Sequence, residues 1–316
     1  MDDDAAFEET PPIAVVGAGA VGTALARRLA ERGAPVRAIL SRDGATAQAL
    51  ADRVGAAVAS DRGSALPDDV RLVLLCVPDD AITTVAETLA AVPHQWAHTI
   101  VGHTSGARTA EVLAPLARKG APTLSFHPLQ TFTPETPPEA FADVVIGIEG
   151  DPDAVSAGVA LARGLGARPV TLTARGKALY HCAAALASNG LVALIAVVEE
   201  LLAAADLDDE AGSAIDLMGP LVEQTWDNLE ASLPEHALTG PVARGDAATV
   251  KAHLEALQND VPHLVPLYAA LSTEMTRTAV RGGQLDGDTA ETLLHLLQTS
   301  LQSSSTDDSD SSRFLH

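Results

Sequence analysis

Aromatic residues are nearly missing, at 3% of 316 residues. Hydrophobic residues still make up 47%, so wholesale disorder is excluded and a sizeable core must be built from Ala, Val and Leu. Cysteine is scarce as well. Cys76 and Cys182 each sit in an apolar run, which excludes a disulfide framework and reads as two small core residues. Basic charge is short: 20 Lys and Arg face 42 Asp and Glu, a net charge of −22, and only three of the cations are lysines. Such a surface repels phosphate backbones and anionic lipid, so neither nucleic acid nor a membrane is an expected partner. The histidines are scattered and no paired Cys/His spacing recurs, so no metal site is expected. The G-x-S-x-G turn of serine hydrolases is absent. The start, Met1-Asp2-Asp3-Asp4, carries the wrong charge for a signal peptide, and a soluble cytoplasmic protein is the expectation.

One run is free of Asp, Glu, Lys and Arg: residues 178–198. It is long enough to span a bilayer. It also contains His181, Ser188, Asn189 and Gly190, and alanine is its commonest residue, which predicts a buried central helix of a soluble domain.

The chain divides near residue 175. Before it, short apolar runs at 13–17, 35–41, 72–77, 99–103, 123–126, 144–148 and 170–172 alternate with helical stretches such as 22–32 and 45–54. That alternation, with strands apolar on both faces, predicts an α/β fold built on a doubly wound parallel sheet. Beyond it, no strand pattern is found. Helices are expected over 178–205, 210–230, 246–259, 264–280 and 288–301, with Asp246 as an N-cap. The organisation read from this is an acidic disordered tail (1–10), a dinucleotide-binding domain (11–175), an all-helical domain (176–301) and a disordered Ser/Asp tail (302–316).

The run Gly17-Ala18-Gly19-Ala20-Val21-Gly22 lies between the first strand and the first helix and fits G-x-G-x-x-G. Gly17 allows the tight turn, Gly19 lets a pyrophosphate approach the backbone, and Gly22 lets the helix pack on the strand. The helix start at Ala20 and Val21 supplies amide donors. The second strand ends in Ser41-Arg42, where NAD enzymes usually carry an acidic residue. An arginine beside a hydroxyl suits a 2′-phosphate, so NADP(H) is favoured over NAD. Asp43 takes the acidic role if the strand ends later. Pro78 lies at the cofactor-facing end of the third predicted strand, and Pro78-Asp79 also reads as a helix cap.

Ligands in such sheets sit outside the carboxyl ends of the strands. Ser105 and His127 fall there, and Pro128 holds His127 in an extended backbone. Histidine is the natural acid–base group near neutral pH. On the helix after residue 176, Lys177, His181 and Ser188 share one face, while Asn189 lies about 100° round from Ser188. Arg244, in a loop with Gly240, Pro241 and Gly245, suits a carboxylate. These make His127, Lys177, His181 and Ser105 the catalytic candidates and Arg244, Ser188 and Asn189 the substrate-binding ones.

The runs GAGAVG, CVPDDAI, HTSGA, SFHPLQTF, KALYHCAAALASN and TGPVARGD together resemble a bacterial family with a Rossmann-like domain followed by a helical domain of unknown function. Its members are provisionally described as NADP-dependent oxidoreductases. The layout is more distantly similar to pyrroline-5-carboxylate reductase, 3-hydroxyisobutyrate dehydrogenase and prephenate dehydrogenase, whose helical domains commonly mediate dimerisation, and a homodimer is expected on that resemblance. His127-Pro128 resembles the His-Pro of prephenate dehydrogenases, but Gln130 and Thr133 replace the Gly and Glu that follow it there. Lys177 resembles the helix lysine of 3-hydroxyisobutyrate dehydrogenases, with His181 in place of their asparagine. The reading is an NADP-dependent oxidoreductase acting on a small polar molecule. Its rivals are a prephenate-dehydrogenase-like oxidative decarboxylase and a catalytically silent NADP-binding protein.

Overall fold

A computed structural model describes residues 10–133, 135–207 and 212–304. The expected disordered ends lie outside these residues, apart from Thr10 and the last turn of the final helix. Two compact units divide at Asn189/Gly190, inside the run read from sequence as one helix.

The first unit is an eight-stranded sheet: β1 Ile13–Val16, β2 Val36–Leu40, β3 Val58–Ser60, β4 Leu72–Leu75, β5 Ile100–His103, β6 Thr123–Pro128, β7 Val145–Gly150 and β8 Arg168–Thr171. The order is β3-β2-β1-β4-β5-β6-β7-β8, so the topology reverses between β1 and β4. The helices are α1 Ala20–Glu31, α2 Gly44–Val54, α3 Ile82–Ala90, α4 Ala114–Ala117, α5 Pro152–Gly164 and α6 Ala174–Ala187. The period-two rule shows in β1. Ile13 and Val15 join the core under α1, α2 and α5, which includes Phe126 and Phe141. Ala14 and Val16 join the opposite core, with Ile82 and Leu89 of α3 and with Trp96.

Two features depart from the sequence reading. β3 is a strand of only three residues, too short for a periodic signal. The sheet is not wholly parallel: β6 and β7 pair antiparallel, and β7 and β8 run parallel to each other, so these two oppose the other six. The connection between β6 and β7 has no long helix to carry the chain back, only a 3-10 turn at Pro138–Phe141, and a parallel return needs such a crossover.

The second unit contains α7 Asn189–Ala204 (from its second residue on), α8 Ala214–Ala231, α9 Pro234–Ala237, α10 Ala247–Asp260, α11 Val265–Arg281 and α12 Gly287–Ser304. Asp246 caps α10 by accepting from Thr249 N, as expected. Val250, Leu254 and Leu257 of α10 pack with Val265 and Ala269 of α11 and Leu293 and Leu297 of α12, the spacing of one helical face. The expected start of the second helix at residue 210 lies outside the described residues, and α8 begins at Ala214.

The run 178–205 corrects two expectations. It is interrupted at Ser188, a single distorted turn residue at φ −107° and ψ −74° between α6 and α7. It is also not buried: Lys177 is the only buried residue of α6, and α7 has none. Cys182 is exposed on α6 and so is not a core residue, whereas Cys76 is buried. The reason is local. Only a narrow stripe of α6 meets β7, where Gly147 lacks the β-carbon that would lie 2.9 Å from the Tyr180 ring.

Candidate active site

The glycine turn opens a cleft at the topological switch. Gly17 has φ +106°, and a β-carbon there would sit 2.2 Å from Cys76 O, so no other residue fits this turn without backbone movement. Gly22 packs against the same turn, since its β-carbon would lie 2.0 Å from Gly17 O. Gly19 is the N-cap of α1 and offers no side-chain cap, which leaves the first-turn amides pointing outward. The cleft encloses about 680 Å³ and is lined by Gly17, Gly19, Ser41, Arg42, Pro78 and Val85 among others.

The end of β2 bears on the Asp43 alternative, and Asp43 lines the cleft beside Arg42. β2 stops at Leu40, and Asp43 caps α2. Its carboxylate accepts from Ala45 N at 3.0 Å and from Thr46 Oγ1 at 2.5 Å, bonds that hold it below the usual aspartate range. Arg42, also lining the cleft, is exposed with no hydrogen bond or ion pair among the described residues. Arginine at the ribose end, an acid at the cleft wall already engaged in capping α2, and bare amides at a helix start fit a dinucleotide carrying a 2′-phosphate.

The second part of the site adjoins the cleft on the same face of the sheet, towards β5, β6 and β7. Leu75, His103, Ser125 and Glu149 stand side by side across β4, β5, β6 and β7. The row is apolar at β4 and polar on the next three strands, although His103, Ser125 and Glu149 are all buried. Two residues on along β6, His127 pairs with Gly147 on the same face as Ser125. α6 lies over this face and lowers Lys177, Tyr180 and His181 onto it.

Every buried group here has an identifiable state. Ser105 N donates to His103 Nδ1 at 3.2 Å, so His103 carries its proton on Nε2 and donates to Thr109 O at 3.1 Å. Burial and the nearby Lys177 push His103 down to about 4. Ser105 Oγ donates to Asp79 at 2.8 Å and accepts from Arg108 N at 3.0 Å. Ser125 Oγ donates to Ser105 O at 3.3 Å and accepts from Lys177 Nζ at 2.5 Å. Glu149 accepts from Ala110 N at 2.9 Å. Burial brings Lys177 down to about 8, against the opposing pull of Glu149 and Asp79. Burial first, then Lys177 and His181, bring His127 down to about 4. The His127 ring meets His181 at 5.9 Å and Tyr180 at 5.7 Å, both edge-on. His127 Nδ1 and Tyr180 Oη are buried without hydrogen-bond partners.

Ser105, His127, Lys177 and His181 thus gather in one unit. Ser188 is half-buried on the Lys177–His181 stripe of α6, and Asn189 is exposed. Arg244 is exposed on the second unit, in a turn where Gly240 and Gly245 both have positive φ. Asp79 is not the helix cap read from sequence, because α3 starts at Ile82 with Ala81 as its N-cap and no side-chain cap, and Asp79 holds Ser105 instead. Ser125, Glu149 and Tyr180 are not singled out from sequence, and His103 enters only as part of the run HTSGA. One signal was available: Glu149 is the lone charge in the apolar strand Val145–Gly150.

The profile of a Rossmann-like domain matches residues 8–128, and that of a domain of unknown function, DUF2520, matches residues 144–275. The chain joins a Rossmann-like domain to a DUF2520 domain. The site draws on both: Ser105, Ser125 and His127 lie in the Rossmann-like match, and Glu149, Lys177 and His181 in the DUF2520 match. Comparison with curated proteins gives no match. Among solved structures, the chain is similar to a provisionally described NADP oxidoreductase of Bacteroides fragilis, at 25% identity and a TM-score of 0.67 over 84% of this chain and 98% of that one. It is similar to a Thermotoga maritima protein at 26% identity and a TM-score of 0.68, over 85% and 98%. It shares its fold with an imine reductase from Pseudomonas sp., at 20% identity and a TM-score of 0.56 over 93% and 100%.

Proposed function

We propose that this Rossmann-like/DUF2520 protein is a soluble NADP-dependent oxidoreductase, moving a hydride between the nicotinamide and a carbonyl, hydroxyl or imine carbon of a small polar molecule. The observation that carries this reading is the contrast between Arg42 and Asp43. Arg42 stands free at the cleft, while the Asp43 carboxylate is spent on α2. The B. fragilis relative, described as an NADP oxidoreductase, supports the same cofactor.

Gly17–Gly22 and the α1 amides would hold the pyrophosphate, and Arg42 with Ser41 the 2′-phosphate. The bound cofactor supplies or accepts the hydride. The substrate oxygen or nitrogen gains a proton as its carbon is reduced and loses one as its carbon is oxidised. His127 exchanges that proton, because its ring is partly accessible and is steadied by His181 and Tyr180. Ser105, fixed by Asp79, lines the approach to it.

The active form in this reading is a homodimer. On α8, Ile215, Leu221 and Trp226 are each more than half exposed, and on α7 Val192 is 70% exposed. Asp216, Glu223, Asp227 and Glu230 are exposed on α8 as well. A second copy accommodates that mixture of apolar area and charge, while the hydrocarbon core of a bilayer rejects it.

The test is a calorimetric titration of NADPH and NADH into the wild-type protein and Arg42→Ala. A charge-assisted contact worth about 1.5–3 kcal/mol gives the wild type a roughly 10- to 100-fold preference for NADPH, which the variant loses. Absence of binding by either nucleotide to folded protein overturns the reading.

A further inference from the structure

Lys177 is fully buried, and among the described residues its one side-chain hydrogen bond goes to Ser125 Oγ. No carboxylate lies within ion-pair distance among the described residues, although Glu149 stands opposite Ser125 on the neighbouring strand and is itself buried. Solvent does not reach the lysine, so a substrate does not either without displacing the groups around it. The amine therefore acts on the reaction through its surroundings. Of the two imidazoles it acts upon, His103 has both ring nitrogens engaged, by Thr109 O and Ser105 N, whereas His127 shares the Ser125 face of β6 and has a buried Nδ1 without a partner.

We propose that Lys177, seated on Ser125 and backed by Glu149, is a positioning residue: a buried charge that keeps His127 free of a second proton. The proposal rests on the reading of His127 as the proton-exchanging group and assigns Lys177 its part in it. A protonated His127 would bury a second N–H in a place that offers it no acceptor, beside a fixed ammonium. The other groups facing His127 are His181 and Tyr180 from α6, His103 from β5 and Asp79 after β4. Of these only Asp79 favours the imidazolium, and its oxygen is already engaged by Ser105. Glu149 keeps the amine itself charged, since removing it takes away the larger of the two opposing carboxylate effects on Lys177. Ser125 sets the distance. Its hydroxyl is oriented by Ser105 O, which leaves a lone pair aimed at Nζ.

The experiment is an NMR titration of the full chain labelled with ¹³C-histidine and ¹³C-lysine, without nucleotide. Three lysines make the Lys177 signal assignable by comparison with Lys177→Met, and His127→Gln assigns the histidine. In the wild type, Lys177 titrates near 8 and His127 near 4. Lys177→Met is expected to raise the His127 midpoint by about one pH unit. Glu149→Gln is expected to lower the Lys177 midpoint, and Glu149→Asp to restore part of it. Where Lys177→Met does not fold, Ser125→Ala is the deciding variant. It removes the one hydrogen bond to the ammonium and must lower the Lys177 midpoint. A His127 midpoint unmoved by Lys177→Met, or a Lys177 midpoint unmoved by both Glu149→Gln and Ser125→Ala, overturns the proposal. Loss of nucleotide binding by the wild type would sink the oxidoreductase reading alone, because these titrations use no cofactor.

Discussion

Gly106 and His181 approach so closely that a β-carbon on the glycine would lie 2.3 Å from His181 Cδ2 and 2.7 Å from His127 Nε2. The loop after β5 is therefore the floor on which the two imidazoles rest. Gly106→Ala must push one ring or the other out of its edge-on geometry. Overpacking of this kind costs about 1–3 kcal/mol, so the urea midpoint should fall. The His127 and His181 resonances should shift together while NADPH is still bound through Gly17–Gly22 and Arg42. Unmoved histidine resonances in the variant would show that the rings have room to spare.

The capping role of Asp43 separates stability from cofactor choice. Asp43→Ala removes the N-cap of α2 and should cost about 0.5–2 kcal/mol, read as a lower denaturation midpoint. It should leave the ratio of NADPH to NADH affinity where it was. If the variant instead changes that ratio, the carboxylate faces the ribose in solution.

Burial of two neutral histidines makes stability depend on pH. His103 and His127 both sit near 4, against an ordinary value near 6.5. Between those values the unfolded chain binds protons that the folded chain refuses, so stability is complete above pH 6.5 and is lost as pH falls towards 4. For His103, the more deeply buried, the full loss is on the order of 3 kcal/mol. Denaturation at pH 7.5 and at pH 5 should show the drop, and His103→Gln should flatten it. A wild-type profile already flat over that range would contradict neutral burial.

The exposed face of α7 and α8 predicts a size. Light scattering on the wild-type protein should give twice the chain mass of 32.4 kDa. Leu221→Glu with Trp226→Glu should give a folded monomer, because two charges set into a desolvated interface are not repaid there. A wild-type monomer, or a double variant that remains dimeric, removes this face as the interface.

Much of the fold was legible along the chain because its signals are local. The strand–helix alternation, the glycine turn at Gly17–Gly22 and the Asp246 cap each need only a few neighbouring residues to be read. The reversal of β7 was not legible. Its apolar pattern is the same in either direction, and the sense of pairing depends on what the connection can span. The outward face of α6 and α7 escaped for a related reason: an apolar helix reads alike whether its own chain or another copy covers it.

The sequence by itself determined the nucleotide cleft, since the turn, the helix start and the residues ending β2 lie within a single βαβ unit. It also named Ser105, His127, Lys177 and His181 as chemistry-bearing, from residue type and helical or strand position. Only the tertiary structure decided that Ser125 and Glu149 belong with them, that Asp79 serves Ser105, and that Lys177 is sealed away while His127 is reachable. These relations cross four strands and a helix that are far apart along the chain. Their free energy resides in burial and in hydrogen bonds between those elements, and neither exists until the sheet has formed.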